Sequence, residues 1–393
     1  MKRLSLFLAL LIVGTSPAIA APKSVAAKKL TIIATVSAEL MVVSGKTIIT
    51  ISNSDGVNSN ILLTGLDISG AQLWQKTIDS GVDEIALASA VDPLGNVWLA
   101  GASSAIPVVE SATAPVQAEN PDGVVAEPVT KLRGDMNQLT LWKLSPLGDL
   151  LGTYTLSQSA PALISAVSVN ASGVSIVGQL LDKPFVVSAT SNGVFGKVIS
   201  IGTSKTVLGA IVRHSDGSVS VFGSSAETLG GKKLAGVRDG VLIRVSKTGA
   251  IASVVRSSAP KANRTWLAAD STLALTGFVK SGKIVETAFT KFTMAFAPTW
   301  TMRVPSLGTS TVLTAGNITY GAVSSSAAVP RVIGWKPTSA SVLLLTLDSK
   351  GVVSGAYGSS EIAEPISMAY SKELGVVGLA KTAAQTLSLF KLA

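Results

Sequence analysis

Acid–base, nucleophilic and metal chemistry all need titratable side chains gathered in one pocket, and this chain offers few of them. His214 is its one histidine, and cysteine is absent. Zinc, copper and haem sites draw on imidazole or thiolate ligands, so that composition argues against all three. A Ser-His-Asp triad would have to recruit His214 from the tight turn His214-Ser215-Asp216-Gly217. Carboxylates are the remaining route. Asp83 with Glu84, and Glu361 with Glu364, precede apolar runs and could reach a central pocket as the acid and base of a carbohydrate-active or lyase-type enzyme. Such chemistry requires two carboxylates at a defined separation. Residues 52–60, SNSDGVNSN, carry oxygen ligands but lack the D-x-[DN]-x-[DN]-G spacing and later Glu of a calcium loop. No catalytic residue, metal site or cofactor is assigned.

Charge placement is more informative than charge chemistry. The formal net charge is +9, and two of the basic residues, Lys2 and Arg3, lie at the extreme N-terminus. Basic residues concentrate late in the chain, at Lys205, Lys232, Lys233, Arg238, Lys261, Arg264, Lys280, Lys283, Arg331 and Lys336. Acidic ones concentrate early, at Asp79, Asp83, Glu84, Glu110, Glu119, Asp122, Glu127 and Asp135. The candidate binding residues are Lys232, Lys233, Arg238, Arg264, Arg331, Trp335 and Lys336. Trp335 joins them because it stands in a loop, whereas the other tryptophans fall on strands and read as packing between sheets. No basic stripe interleaved with stacking aromatics is present, so nucleic acid is not an expected partner.

Something must hold these loops. The first twenty residues run from Lys2-Arg3 through an apolar segment, Leu6 to Val13, to Ala18-Ile19-Ala20. This is the pattern of a secretory signal peptide with an A-x-A cleavage site, too short to span a bilayer. Residues 1–20 are therefore read as a signal peptide, 21–28 as a short linker and 29–393 as the folded domain, in a secreted or extracytoplasmic protein. Apolar residues make up 47% of the chain and charged ones only 14%, against about 25% charged in ordinary soluble domains. No later run approaches the ~20 apolar residues of a spanning helix, so no transmembrane anchor is expected after cleavage. With aromatics at 5%, an outer-membrane barrel could hardly build its two aromatic girdles.

The apolar residues instead recur in short β-type runs bounded by Gly, Asp, Asn or Pro. One hairpin type begins at Glu39, Asp83, Ala162, Thr206, Arg264, Thr309 and Pro365, and a second at Ile61, Gln138, Pro184, Gly240, Glu286 and Ser341. The first type closes on Gly101, Gly178, Gly223, Gly277, Gly321 and Gly378, separated by 77, 45, 54, 44 and 57 residues. Four-stranded units every 40 to 50 residues or so are the signature of propeller blades. The long first interval holds an insertion, the Pro-rich loop 104–137 in blade 2. A lone strand at 29–37 can supply the outer strand missing from the last blade, which would close the ring and remove exposed edges. The expected fold is an all-β, seven-bladed β-propeller of four-stranded antiparallel blades, closed by the N-terminal strand completing the last blade.

The pair VDPLGNVWLAGAS, residues 91–103, and LTLWKLSPLGDLLGTYTL, residues 139–156, resembles the seven-bladed repeat of secreted bacterial propellers. That repeat patterns as D-x-x-G-N-x-[YVW]-[VL]-x-G followed by K-L-[DS]-x-x-G. GLDISGAQLW, residues 65–74, is also similar to the repeat of quinoprotein-like propellers. The resemblance implies a fold and leaves the site to be argued separately.

Loops within hairpins are tight and loops joining them are longer, so one face of such a ring should be smooth and the other elaborated. Binding is usually built on the elaborated side of a rigid scaffold. The expectation is a monomeric, non-catalytic binding or scaffold propeller whose basic sector engages an anionic cell-envelope polymer or a protein partner. The alternative is the carboxylate enzyme described above.

Overall fold

The computed structural model describes residues 24–54, 59–105, 134–258 and 260–392. The signal peptide expected over 1–20 and most of the loop 104–137 lie outside them. Every regular element among the described residues is a β-strand, and no helix is long and apolar enough to cross a membrane.

Five consecutive four-stranded antiparallel sheets form blades 1 (40–78), 2 (84–157), 3 (162–200), 4 (206–257) and 5 (263–305). A sixth four-stranded sheet, the closing blade, joins Glu364–Ser371, Gly375–Lys381 and Leu387–Lys391 to Thr31–Val36. The first strand of each sheet touches the first strand of the next, and the circuit returns from Glu364–Ser371 to Leu40–Ser44. Apolar cores lie between neighbouring sheets: Ile49, Ile51 and Leu63 of blade 1, for example, pack with Leu99 and Trp142 of blade 2.

The expectation of seven four-stranded blades is corrected to six. Between blade 5 and the closing blade lies a six-stranded sheet instead. Its antiparallel hairpins, 310–325 and 341–359, are widened by Val25–Lys29, which runs parallel first to Val332–Ile333 and then to Val353–Ser359. The reason is that the N-terminal segment is longer in structure than its sequence signal: Val25–Lys29, all but its last residue in the stretch read as a linker, is itself a strand. Leu30, fully buried, separates it from Thr31–Val36, which pairs antiparallel with Leu387–Lys391. One short segment thus staples two adjacent sheets.

The repeat itself is a turn and a bulge. In the turn, Asp67, Asp92, Ser145, Asp270 or Asp348 accepts backbone amides two and four residues on; Asp92 Oδ1, for example, takes Leu94 N and Asn96 N, both at 2.9 Å. The residue at the fourth turn position adopts positive φ, as Gly70, Gly95, Gly148, Gly217, Gly249 and Gly351 do without steric cost. In the bulge, the inner strand carries an extra residue next to the pairing with the recurring glycine of its neighbour, between Ala86 and Ala88, Ile164 and Ala166, Leu208 and Ala210, or Trp266 and Ala268. A carbonyl just before the bulge comes so close that a Cβ on Gly223 would lie 1.9 Å from Val207 O, and one on Gly101 1.8 Å from Ile85 O.

The turn glycines also lock blades together. A Cβ at Gly148 would meet the Trp74 ring of the preceding blade at 2.6 Å, at Gly193 the Tyr154 ring at 2.0 Å, and at Gly351 the Trp300 ring at 2.6 Å. Gly249 receives Ile199 and Gly70 receives Ala34 in the same way. The interface between blades 4 and 5 departs from the pattern. Its turn glycine is replaced by Phe296, held at φ 61°, and Ser253 stands opposite Arg244 where Trp74 stands opposite Gly65 and Trp300 opposite Lys291.

Candidate functional site

The inner strands surround an axial cavity of about 450 Å³ whose walls are mostly backbone and small or aliphatic side chains, such as Ala88, Ala166, Gly209 and Ala268. Glu39 is the single acidic side chain among its lining residues. Of the four carboxylates that could have served an axial enzyme, Asp83, Glu84 and Glu361 are engaged elsewhere, and Glu364, half-buried at the start of its strand, is not among the cavity's lining residues. Asp83 is buried and accepts Ser59 N at 2.7 Å. Glu84, also buried, accepts from Ser80 Oγ at 2.7 Å and Trp142 Nε1 at 3.4 Å. Burial pushes the Glu84 carboxyl above the usual range, against the opposing pull of those hydrogen bonds. Glu361 pairs with Lys29 at 2.9 Å on the exterior. His214 is not a free turn residue: its Nε2 lies 2.7 Å from Ser220 Oγ. Burial first, then the Arg244 charge, holds its pKa below the ordinary imidazole value, with Asp216 pulling the other way.

The basic residues sit on the long loops that join the second and third strands of each sheet. Residues 226–238 of blade 4 carry Lys232, Lys233 and Arg238, and residues 326–340 of the six-stranded sheet carry Arg331, Trp335 and Lys336. Blade 5 lies between these two groups. Lys232, Lys233, Arg331 and Lys336 are exposed. Among the described residues none of the four forms an ion pair. Arg238 is half-buried and braces the loop, its Nη1 donating to Lys205 O at 3.1 Å.

Residues 226–238 are not loose. Asp239, fully buried, accepts the amides of Ala235 and Gly236 at 2.9 and 2.8 Å, and its Oδ2 receives Arg256 Nη1 at 3.0 Å. The same guanidinium donates through Nε to Lys232 O at 3.0 Å and through Nη2 to Glu227 O. Glu227 is tied in turn to Thr203 and Thr206, with Thr206 Oγ1 donating at 2.6 Å. The acidic groups of this sector are therefore consumed internally and its lysines are left facing solvent.

Two sequence candidates are not on the surface. Trp335 is buried in the core of the six-stranded sheet, its ring against Gly358, so it packs rather than docks. Arg264 is also buried, beside Arg238, whose carbonyl accepts Arg264 N at 2.9 Å. Its guanidinium lies 4.5 Å from the centroid of the Trp266 ring. Desolvation, and secondarily the Arg303 charge, brings its pKa down to about 10. Sequence reasoning missed the partners that make this position unusual: Phe296 in KFTMAFAPTW, one of three non-glycine residues at the fourth turn position with Leu273 and Gln385, was the available signal.

No family model and no curated protein matches this chain. Among solved structures, the WD40 domain of Toxoplasma gondii coronin superposes with a TM-score of 0.53 at 12% identity, over 94% of this chain and 88% of that one. The fold is a β-propeller. Looser superpositions are found with BBS1N in complex with ARL6DN, TM-score 0.46 at 10% identity over 95% of this chain and 98% of that one. The β-propeller domain of the Trilobed protease from Pyrococcus furiosus gives 0.43 at 10% identity, over 92% and 94%. At such identities the likeness extends to the propeller scaffold and not to its sites.

Proposed function

We propose that this propeller is a non-catalytic binding or scaffold protein of the extracytoplasmic space that engages an anionic cell-surface polymer through its loop-rich face. One observation carries the reading: in the sector built by residues 226–238 the acidic side chains are spent on internal bonds, while Lys232 and Lys233, without an ion pair among the described residues, project from a loop pinned by the buried Arg256–Asp239 pair. A rigid, uncompensated cationic surface attracts polyanions and releases them as salt screens it. Arg331 and Lys336 extend the positive field beyond blade 5. The axial cavity fits the non-catalytic half of the reading, because among the described residues its lining holds one carboxylate, Glu39, and not the convergent pair that glycoside chemistry uses.

The test is adsorption of the purified chain to a polygalacturonate matrix and to the same matrix with its carboxylates esterified. Retention on the first and not the second supports the reading. Equal retention on both, or on neither, overturns it.

A further inference from the structure

We propose that the groove between blades 4 and 5 is a binding site for a small carboxylate with an apolar body, gripped by Arg264. The groove encloses about 580 Å³. At this interface Ser253 stands in the place of the tryptophans and Phe296 in the place of a turn glycine, so the ring-on-glycine contact made at Gly148, Gly193 and Gly351 is not made here. The Phe296 ring turns inward onto Phe222, with centroids 5.9 Å apart, rather than leaving a seat for an aromatic from blade 4. Leu242, Phe292, Phe296 and Pro298 give the groove apolar walls, and Thr290 and Thr301 add hydroxyls.

Its charges do not balance. Arg256 is neutralised by Asp239, and Arg303 faces Glu286 at 3.5 Å. Arg264, 9% exposed, has the Trp266 ring as its contact and neither a carboxylate nor a side-chain hydrogen bond among the described residues. The Arg264 nitrogens are not among the enclosed polar atoms without a partner, so they open onto the groove, and a largely desolvated guanidinium with five donors and no protein acceptor presents there the fork that a carboxylate fills with two parallel hydrogen bonds. The surplus is one charge. A monoanion cancels it, whereas a dianion would carry an unmatched negative charge into apolar walls. The walls accordingly select an apolar body behind the carboxylate.

This site goes beyond the polymer reading and does not rest on it, since a small ligand in the groove and a polymer on the lysines respond to different variants. The test titrates the full chain with 3-phenylpropionate and with its uncharged amide by calorimetry. The acid is expected to saturate one site, and the amide to bind at least about tenfold more weakly, or about 1.4 kcal/mol. Thr301→Trp, at an exposed position on the groove, should abolish binding without lowering the melting temperature. Arg264→Met should erase the advantage of the acid. Should that variant fail to fold, Arg264→Lys, which keeps the charge without the fork, should weaken the acid selectively. Equal binding of acid and amide, binding that survives Thr301→Trp, or no saturable binding of the acid overturns the proposal.

Discussion

Asp239 and Arg256 meet at 3.0 Å with their side chains 0% and 7% exposed, a buried ion pair that fixes the loop carrying Lys232 and Lys233. Burying two charges is tolerated here because the remaining acceptors and donors are filled by Ala235, Gly236, Glu227 and Lys232 backbone groups. Removing one partner strands the other. Asp239→Ala is expected to cost about 3–5 kcal/mol in urea denaturation, and to raise hydrogen exchange at residues 226–238 ahead of global unfolding.

Gly223 faces the carbonyl of Val207, just before the bulge, with no room for a methyl group. Gly223→Ala should therefore destabilise by upwards of about 2 kcal/mol through overpacking against backbone that cannot move aside. Gly134→Ala, where nothing lies within 4 Å of the added carbon, should leave thermal unfolding unchanged. The contrast separates a spatial requirement from loss of glycine flexibility.

Leu30 is the buried link between strands that belong to two sheets. Leu30→Ala should cost about 2–5 kcal/mol. Deleting residues 24–36 should abolish cooperative unfolding altogether, because it exposes the edges of Val353–Ser359 and Leu387–Lys391 together. A truncated chain that still melted cooperatively near the intact temperature would show that closure of the ring is dispensable.

The single histidine makes one titration readable without assignment. Burial beside Ser220 and the Arg244 charge depress the His214 pKa in the folded state, so the unfolded chain binds the proton more readily. The stability this residue contributes is then fully present above the unfolded value of about 6.5 and is lost as pH falls below that value toward the depressed folded pKa. The imidazole carbon-bound proton resonance should titrate with a midpoint below 6.5, and His214→Gln should flatten the decline in stability over that window. A midpoint above 6.5 would reverse the sign.

Much of this architecture is visible in the chain itself, and the reasons are local. The D-x-x-G turns and the spaced glycines encode a turn type and a bulge, both decided within a few residues, so the strands and the closing role of Thr31–Val36 can be read directly. The extra width of the sheet between blade 5 and the closing blade cannot. Val25–Lys29, VAAKK, carries no alternation, and its strand state comes from the edge of Val353–Ser359 that it covers. The exposure of the candidate residues was legible in part. Lys232 and Lys233 stand out as charges in a long loop, but whether a lysine faces solvent or a carboxylate depends on tertiary pairing. The same dependence explains Trp335, which looks like a loop aromatic and packs as core. It also explains Arg264, whose isolation follows from where Asp239 and Glu286 spend their charges.

The most direct measurement of the polymer reading is the affinity of the intact chain for soluble polygalacturonate as a function of sodium chloride. The comparison is with the variant Lys232→Glu, Lys233→Glu, Arg331→Glu. The intact chain should lose at least about tenfold in affinity between roughly 0.05 and 0.5 M salt, as the screening length contracts to a few ångströms. The triple variant should bind weakly at every concentration while melting at the same temperature. An affinity unmoved by salt, or unchanged by reversing those three charges, would contradict the account.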